Sequence, residues 1–304
     1  MSEQKDLKSI LKQIHFSDDA QVMKQLVDKS LQVKIRMGPI RRKIAVMSGK
    51  GGVGKSTTTV NLALAFARKG YKVGVLDVDL NGPCIPHMFG VSGPFEFTPE
   101  GVLPKVGPYG IKIASMDFFL KHKGSPVRWK GPMDLSPIFL GMLEMNVIRD
   151  FLSDILWGDI DFLFVDLPPG AAADKPPVIA SYLPELDGAV VVTTPSEVAK
   201  SVVFKSIVYA RDIGMKIIGL IENMGSSLCP TCQTAVPLFE GGCEDLAQAL
   251  NVTLLGKIPF DPKLAQSSDA GILLAADHPI SKQFDGIVGQ IETRLATEPV
   301  GVPH

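Results

Sequence analysis

The stretch "KIAVMSGKGGVGKSTTTVNLALAFARKG", residues 43–70, constrains the fold more than any other part of the chain. A short apolar run reads as a buried strand, a glycine-rich turn follows, and a helix-period segment runs on until Gly70 stops it. Inside the turn, Gly49 through Ser56 fit G-x-x-x-x-G-K-[ST]. Glycines let consecutive backbone N–H groups converge on phosphate oxygens, and the following helix adds its N-terminal dipole. Lys55 is placed to reach β- and γ-phosphates, and the Ser56 hydroxyl to coordinate Mg²⁺. The expected nucleotide contacts are Gly49, Lys50, Gly51, Gly52, Val53, Gly54, Lys55, Ser56 and Thr57.

The same alternation continues downstream. "KVGVLDVD" (72–79), "DFLFVDLPPG" (161–170), "GAVVVTTP" (188–195), "MKIIGLIENM" (215–224) and "TLLGKIPF" (253–260) are apolar strand runs. Helical patterns separate them, among them 136–156, 197–212 and a segment near 243–251. Strands apolar throughout, alternating with helices, indicate an α/β fold: a doubly wound, mostly parallel sheet covered on both faces. Residues 1–40 read as a helical N-terminal extension ended by Gly38-Pro39, 41–290 as one nucleotide-binding domain, and 291–304 as a flexible tail. Most of 81–110 reads as Pro- and Gly-rich loop.

Composition narrows the function classes. With 304 residues, 45% hydrophobic and 21% charged, the chain needs neither disulfide nor metal to build a core. Its net charge of −1 gives no basic field for nucleic acid. No apolar run reaches the ~18–20 residues of a membrane span, and the polar N-terminus has no signal-peptide core. The expectation is a cytoplasmic protein with reduced thiols.

Four cysteines remain to be explained. Cys229 and Cys232, in "SSLCPTCQTAV", form a CxxC, half of a tetrahedral metal site. The other half is open on spacing alone. Structural Zn²⁺ held with Cys243 and a fourth ligand of the same chain is one alternative, and a dithiol redox couple another. Cys84, beside the acidic strand end "LDVD", is either a redox sensor or a small buried thiol. Asp77 and Asp79 close one strand and Asp166 another, at the carboxyl edge where ligands bind in such sheets; Asp77 reads as a turn cap.

The octet "GKGGVGKS" resembles the deviant Walker A motif of the MinD/ParA/Mrp/nitrogenase-iron-protein ATPases. The resemblance implies that Lys50 reaches across a nucleotide-sandwiched dimer to the partner's phosphates. It implies that Asp79 positions the attacking water, that Asp166 holds Mg²⁺ through water, and that catalysis rests on Lys50, Lys55, Asp79 and Asp166. "VLDVDLNGPCIPHMFG", "WKGPM", "WGDIDFLFVDLPPG", "TTPSEVA", "IENMGSSLCPTC" and "GKIPFDPKLAQSSDAG" are similar to one subfamily, the Mrp/ApbC-type iron–sulfur cluster carrier ATPases. That resemblance implies ATP and Mg²⁺ as ligands, with adenine flanked by Asn223, Pro259 and Asp261. It also implies a homodimer in which Cys229 and Cys232 of both subunits bridge one [4Fe–4S] cluster, the usual Cys₄ set, for transfer to apo iron–sulfur proteins.

The rival reading is a MinD/ParA-like positioning switch with structural Zn²⁺ at the CxxC. It lacks a basic amphipathic C-terminal helix for membrane attachment and a basic face for DNA. An electron-transfer role like that of the nitrogenase iron protein lacks its cysteine after the switch II aspartate. One departure stands out: after "DLPPG" the family pattern Thr-Gly-Asp is replaced by "AAAD", which shifts Asp174 by one and bears on nucleotide-state relay. Residues 1–40 contain no cysteine, so a second cluster is not expected.

Overall fold

The computed structural model describes residues 16–80, 82–119, 137–170, 179–180, 182–228 and 234–297. The strands are β1 (Arg42–Met47), β2 (Val73–Asp77), β3 (Glu96–Thr98), β4 (Gly101–Leu103), β5 (Lys105–Val106) and β6 (Lys112–Ser115). They continue with β7 (Phe162–Asp166), β8 (Gly188–Thr193), β9 (Ile217–Leu228), β10 (Ala235–Pro237) and β11 (Leu254–Phe260). The helices are α1 (Phe16–Met37), α2 (Lys55–Arg68), α3 (Ile85–Met88), α4 (Pro137–Asp154), α5 (Glu197–Asp212), α6 (Glu244–Ala249), α7 (Pro262–Ala270) and α8 (Pro279–Thr297).

Seven strands pair in parallel in the order β11-β9-β8-β1-β7-β2-β6. Antiparallel β5 closes one edge on β6, and β10 pairs antiparallel with the far end of β9. Every residue of β2, β7 and β8 is buried, as strands covered on both faces must be. Phe66 of α2 sets its ring, tilted, 4.4 Å from that of Phe162 and 5.2 Å from that of Phe164, fixing that helix across β7. The strand order reverses at β1, so the turn after Met47 opens at the carboxyl edge where such sheets bind ligands.

Three findings refine the sequence reading. The segment expected to be loop contains the β3–β4 ribbon and β5, with Glu96 facing Leu103. Strand β9 runs to Leu228 rather than stopping at Met224. Gly225, Ser226 and Ser227, just before its last residue, are weak strand formers held by pairing to β10. At the C-terminus, α8 continues to Thr297, into the stretch expected as a tail, because Ile291 and Leu295 extend its buried stripe.

Helix α1 lies against α4, with Val33 and Met37 buried between helix and domain. Arg36 donates to the Ser153 carbonyl at 3.2 Å and to that of Glu100. Lys43 is only 2% exposed and donates to the carbonyls of Ile40 (3.1 Å) and Met37 (3.4 Å). It neutralises the negative end of α1, while burial lowers its pKa. Among the described residues, no helix is long and apolar enough to cross a membrane.

Candidate functional site: a phosphate loop and a buried aspartate

The turn from Ser48 to Gly54 links β1 to α2. Gly54 is the N-cap of α2 in the left-handed region, at φ 83°. A Cβ there would lie 2.1 Å from Asn223 Nδ2, so both space and conformation require glycine. Gly49 is required for a different reason: its Cβ would lie 2.9 Å from the Val203 amide nitrogen of α5. At Gly51 and Gly52 a Cβ would meet nothing within 4 Å, so this side of the loop is open. The N–H groups of Gly54, Lys55, Ser56 and Thr57 have no acceptor among the described residues, and the first internal bond runs from Thr58 N to Gly54 O at 2.9 Å. These are the orphan donors of a helix start, aimed at the open side.

Asp166, at the end of β7, has no exposed surface. Lys55 Nζ lies 2.5 Å from its Oδ2, the Ser56 hydroxyl donates to the same oxygen at 2.6 Å, and Thr59 Oγ1 donates to Oδ1 at 2.6 Å. All three donors sit on the first turns of α2. An ammonium, a hydroxyl and a carboxylate meeting beside an open nest of N–H groups form a hard-oxygen and cationic donor set. That set fits Mg²⁺ with a nucleotide phosphate chain. Thr59 lies outside the motif; its signal is that it shares a helix face with Lys55 and Ser56, four and three residues back.

Asp77 is buried at the end of β2 and accepts four hydrogen bonds: Asp79 N (3.1 Å), Cys84 N (3.2 Å), Ile85 N (3.3 Å) and Ser115 Oγ (3.1 Å). It ties down both the turn that carries Asp79 and the start of α3, a larger structural role than a turn cap. Burial, then the neighbouring Asp166, push its carboxyl up to about 7, against the pull of Lys55. Asp79 is half-buried and accepts from Gly82 N at 3.3 Å. Burial pushes the Cys84 thiol up to about 11, although the Ser56 hydroxyl beside it pulls the other way. That environment makes Cys84 a poor nucleophile. Lys50 is half-buried, with no acidic partner among the described residues.

The residues expected around adenine are not gathered by direct contact. Asn223 is buried and donates through Nδ2 to the Val53 carbonyl at 2.9 Å, bracing the loop from behind. Asp261 caps α7 by accepting from Lys263 N at 2.8 Å and lies 3.7 Å from His278 Nε2, with half-buried Pro259 two residues before it on β11.

Cys229 and Cys232 lie outside the described residues, as does Asp174. The flanking strands are described: Leu228 faces Ala235, and Ser226 faces Pro237, in an antiparallel ribbon. Cys243 is buried and its N–H donates to Glu222 Oε2 at 2.7 Å. Burial and the Glu222 carboxylate hold its thiol neutral, up to about 12. This fixes Cys243 beside Glu222, in the part of β9 before its kink at Met224. Among the described residues, no three His, Cys, Asp or Glu side chains gather as a metal site.

Comparisons with known proteins agree with this geometry. Residues 39–292 match the family described as ParA: NUBPL iron-transfer P-loop NTPase. The iron-sulfur cluster carrier protein of Methanococcus maripaludis is 42% identical over 285 residues, 93% of this chain and 95% of that one. A cytosolic Fe-S cluster assembly factor NUBP2 homolog from Dictyostelium discoideum is 41% identical, covering 81% of this chain and 91% of its own. Among solved structures, a nucleotide-binding protein from Archaeoglobus fulgidus in complex with ADP is 38% identical with a TM-score of 0.68, over 80% of this chain and 91% of that chain. The cell division ATPase MinD of Pyrococcus furiosus, 22% identical with a TM-score of 0.60 over 84% and 99% of the two chains, shares the fold. With a phosphate loop, a buried aspartate bonded to its lysine and this match over nearly the whole domain, the chain belongs to the iron-transfer P-loop NTPase family.

Proposed function

We propose that this protein is an ATP-dependent carrier of iron–sulfur clusters, working as a homodimer in a cytoplasmic, thiol-reducing compartment. Cys229 and Cys232 of two subunits hold one [4Fe–4S] cluster as cargo and release it to apo-proteins. The observation that carries the reading is that the strand bracing the phosphate loop through Asn223 is the strand that leads into the CxxC. The likeness to named cluster carriers at about 40% identity over most of the chain supports the cargo.

The chemistry follows from the donors around the phosphate loop. Lys55 would exchange its contact with Asp166 for the β- and γ-phosphates, leaving Ser56 to ligate Mg²⁺ and Asp166 to hold it through water. When bound, Mg²⁺ draws charge from the phosphoryl oxygens. Thr59 keeps Asp166 oriented throughout. Asp79 orients the water that adds to the γ-phosphorus as the bond to the β–γ bridging oxygen breaks, giving ADP and phosphate. Lys50 of the partner copy meets the charge that develops there. Asn223, Pro259 and Asp261 border the base.

Cys232→Ser tests the cargo reading. After anaerobic reconstitution, iron retention should fall to background while nucleotide affinity stays at the wild-type value. Full iron content in the variant would overturn it.

A further inference from the structure

Helices α1 and α4 meet along a seam that the turn before β8 closes into a pocket. Lys29, Val33 and Lys34 of α1, Arg149 of α4, and Tyr182 and Pro184 of the turn surround a cavity of about 190 Å³. Helix α1 runs into β1 and the turn runs into β8, so the pocket lies toward the amino edge of the sheet. The phosphate loop leaves from the other end of β1.

The walls are fixed. Across the seam, Arg36 donates to the Ser153 carbonyl at 3.2 Å and Lys29 pairs with Asp150. In the turn, Tyr182 N donates to the Ile179 carbonyl at 3.0 Å and Leu183 N to that of Ala180 at 3.1 Å. Leu183 is buried, so an anchored turn presents the Tyr182 ring. Arg149 sets its guanidinium carbon 4.3 Å from the centre of that ring. A guanidinium stacked by its face keeps its fork of N–H donors in the plane, where an oxyanion can meet it.

Charge in the pocket is one-sided. The Asp150 carboxylate is engaged by Lys29, and Glu185, next to Pro184, lies 3.9 Å from Lys43. Lys34 and Arg149 have no acidic partner among the described residues. Three cations against one paired carboxylate leave a surplus of two positive charges around a cavity. Like charges held together repel unless an anion offsets them.

We propose that this pocket binds a phosphoryl group, as free phosphate or as a small phosphate monoester, separately from the phosphate loop. One phosphoryl group carries about −1.5 to −2 charge at pH 7 and three acceptor oxygens. That matches the surplus charge and the three cationic donors, whereas a carboxylate brings one charge and two oxygens. Arg149 takes two of the oxygens through its fork, and Lys34 and Lys29 act as point charges beside the third.

The test is calorimetric titration of the full-length protein with inorganic phosphate and with phenyl phosphate. Mg²⁺ and the imido analogue of ATP are kept saturating, so that the phosphate loop is filled. One equivalent should bind; tighter binding of phenyl phosphate makes a monoester the ligand, equal binding makes it the free ion, and either supports the proposal. Arg149→Lys keeps the charge but loses the fork and the stack. It should weaken binding by at least about tenfold, the lower end for losing a hydrogen bond to a charged group. Lys34→Gln, at an exposed position, should do the same. Affinity for the ATP analogue should be unchanged in both variants. The proposal is overturned if neither anion binds the loaded wild type, or if either variant binds as the wild type does. Should Arg149→Lys fail to fold, Lys34→Gln decides alone.

Discussion

Asp166 shows how much of a nucleotide site can rest on one side chain that water never touches. Its two oxygens receive three donors from α2, and one of these, Thr59, has no role in binding phosphate. Thr59 orients the carboxylate, as outer-shell partners of metal ligands do. Thr59→Val keeps the shape and removes the donor. It should weaken Mg²⁺ binding in the ADP complex by about 10- to 100-fold, with ADP affinity unchanged when Mg²⁺ is absent. Calorimetric titration with and without the metal checks this, and an equal loss in both would assign Thr59 to the nucleotide instead. The motif residues Gly49 to Ser56 were legible because glycines, lysine and hydroxyl occur at fixed spacing. Thr59 and the brace from Asn223 to Val53 were not, because each depends on which strand lies behind the loop.

At the scale of elements, apolar strand runs were easy to read and polar ones were not. Strands β2, β7 and β8 announce themselves by unbroken burial. The outer part of β9, "GSSL", has one apolar residue and no alternation, and pairing to β10 and β11 makes it a strand. Helix α1 was legible as a helix, but its attachment was not: sequence periodicity does not reveal that Met37 becomes fully buried or that Lys43 caps the helix end. We regard α1 as part of the domain's core rather than a separate appendage. Met37→Ala should destabilise the protein by about 2–5 kcal/mol, the usual range for a buried Met-to-Ala truncation. Urea unfolding followed by circular dichroism measures it; a change within about 0.5 kcal/mol, typical of surface sites, would return α1 to the role of an appendage.

For the whole molecule, the strand order sets the distances that matter. β1 at the reversal point places the phosphate loop at the centre of the carboxyl edge. β9 lies two strands away, beyond β8, and carries its ribbon past the sheet. Among the described residues, Cys243 is held beside Glu222 of β9 and Cys84 beside Ser56. On the proposed function, a second copy completes the set of cluster thiols. The most direct measurement is anaerobic reconstitution with iron and sulfide, with metal content and mass in solution determined on one sample. About four iron per dimer, with a charge-transfer absorbance lost in Cys229→Ser, is the expected result. About one zinc per monomer, a closed structural site, with no uptake of iron, would contradict it.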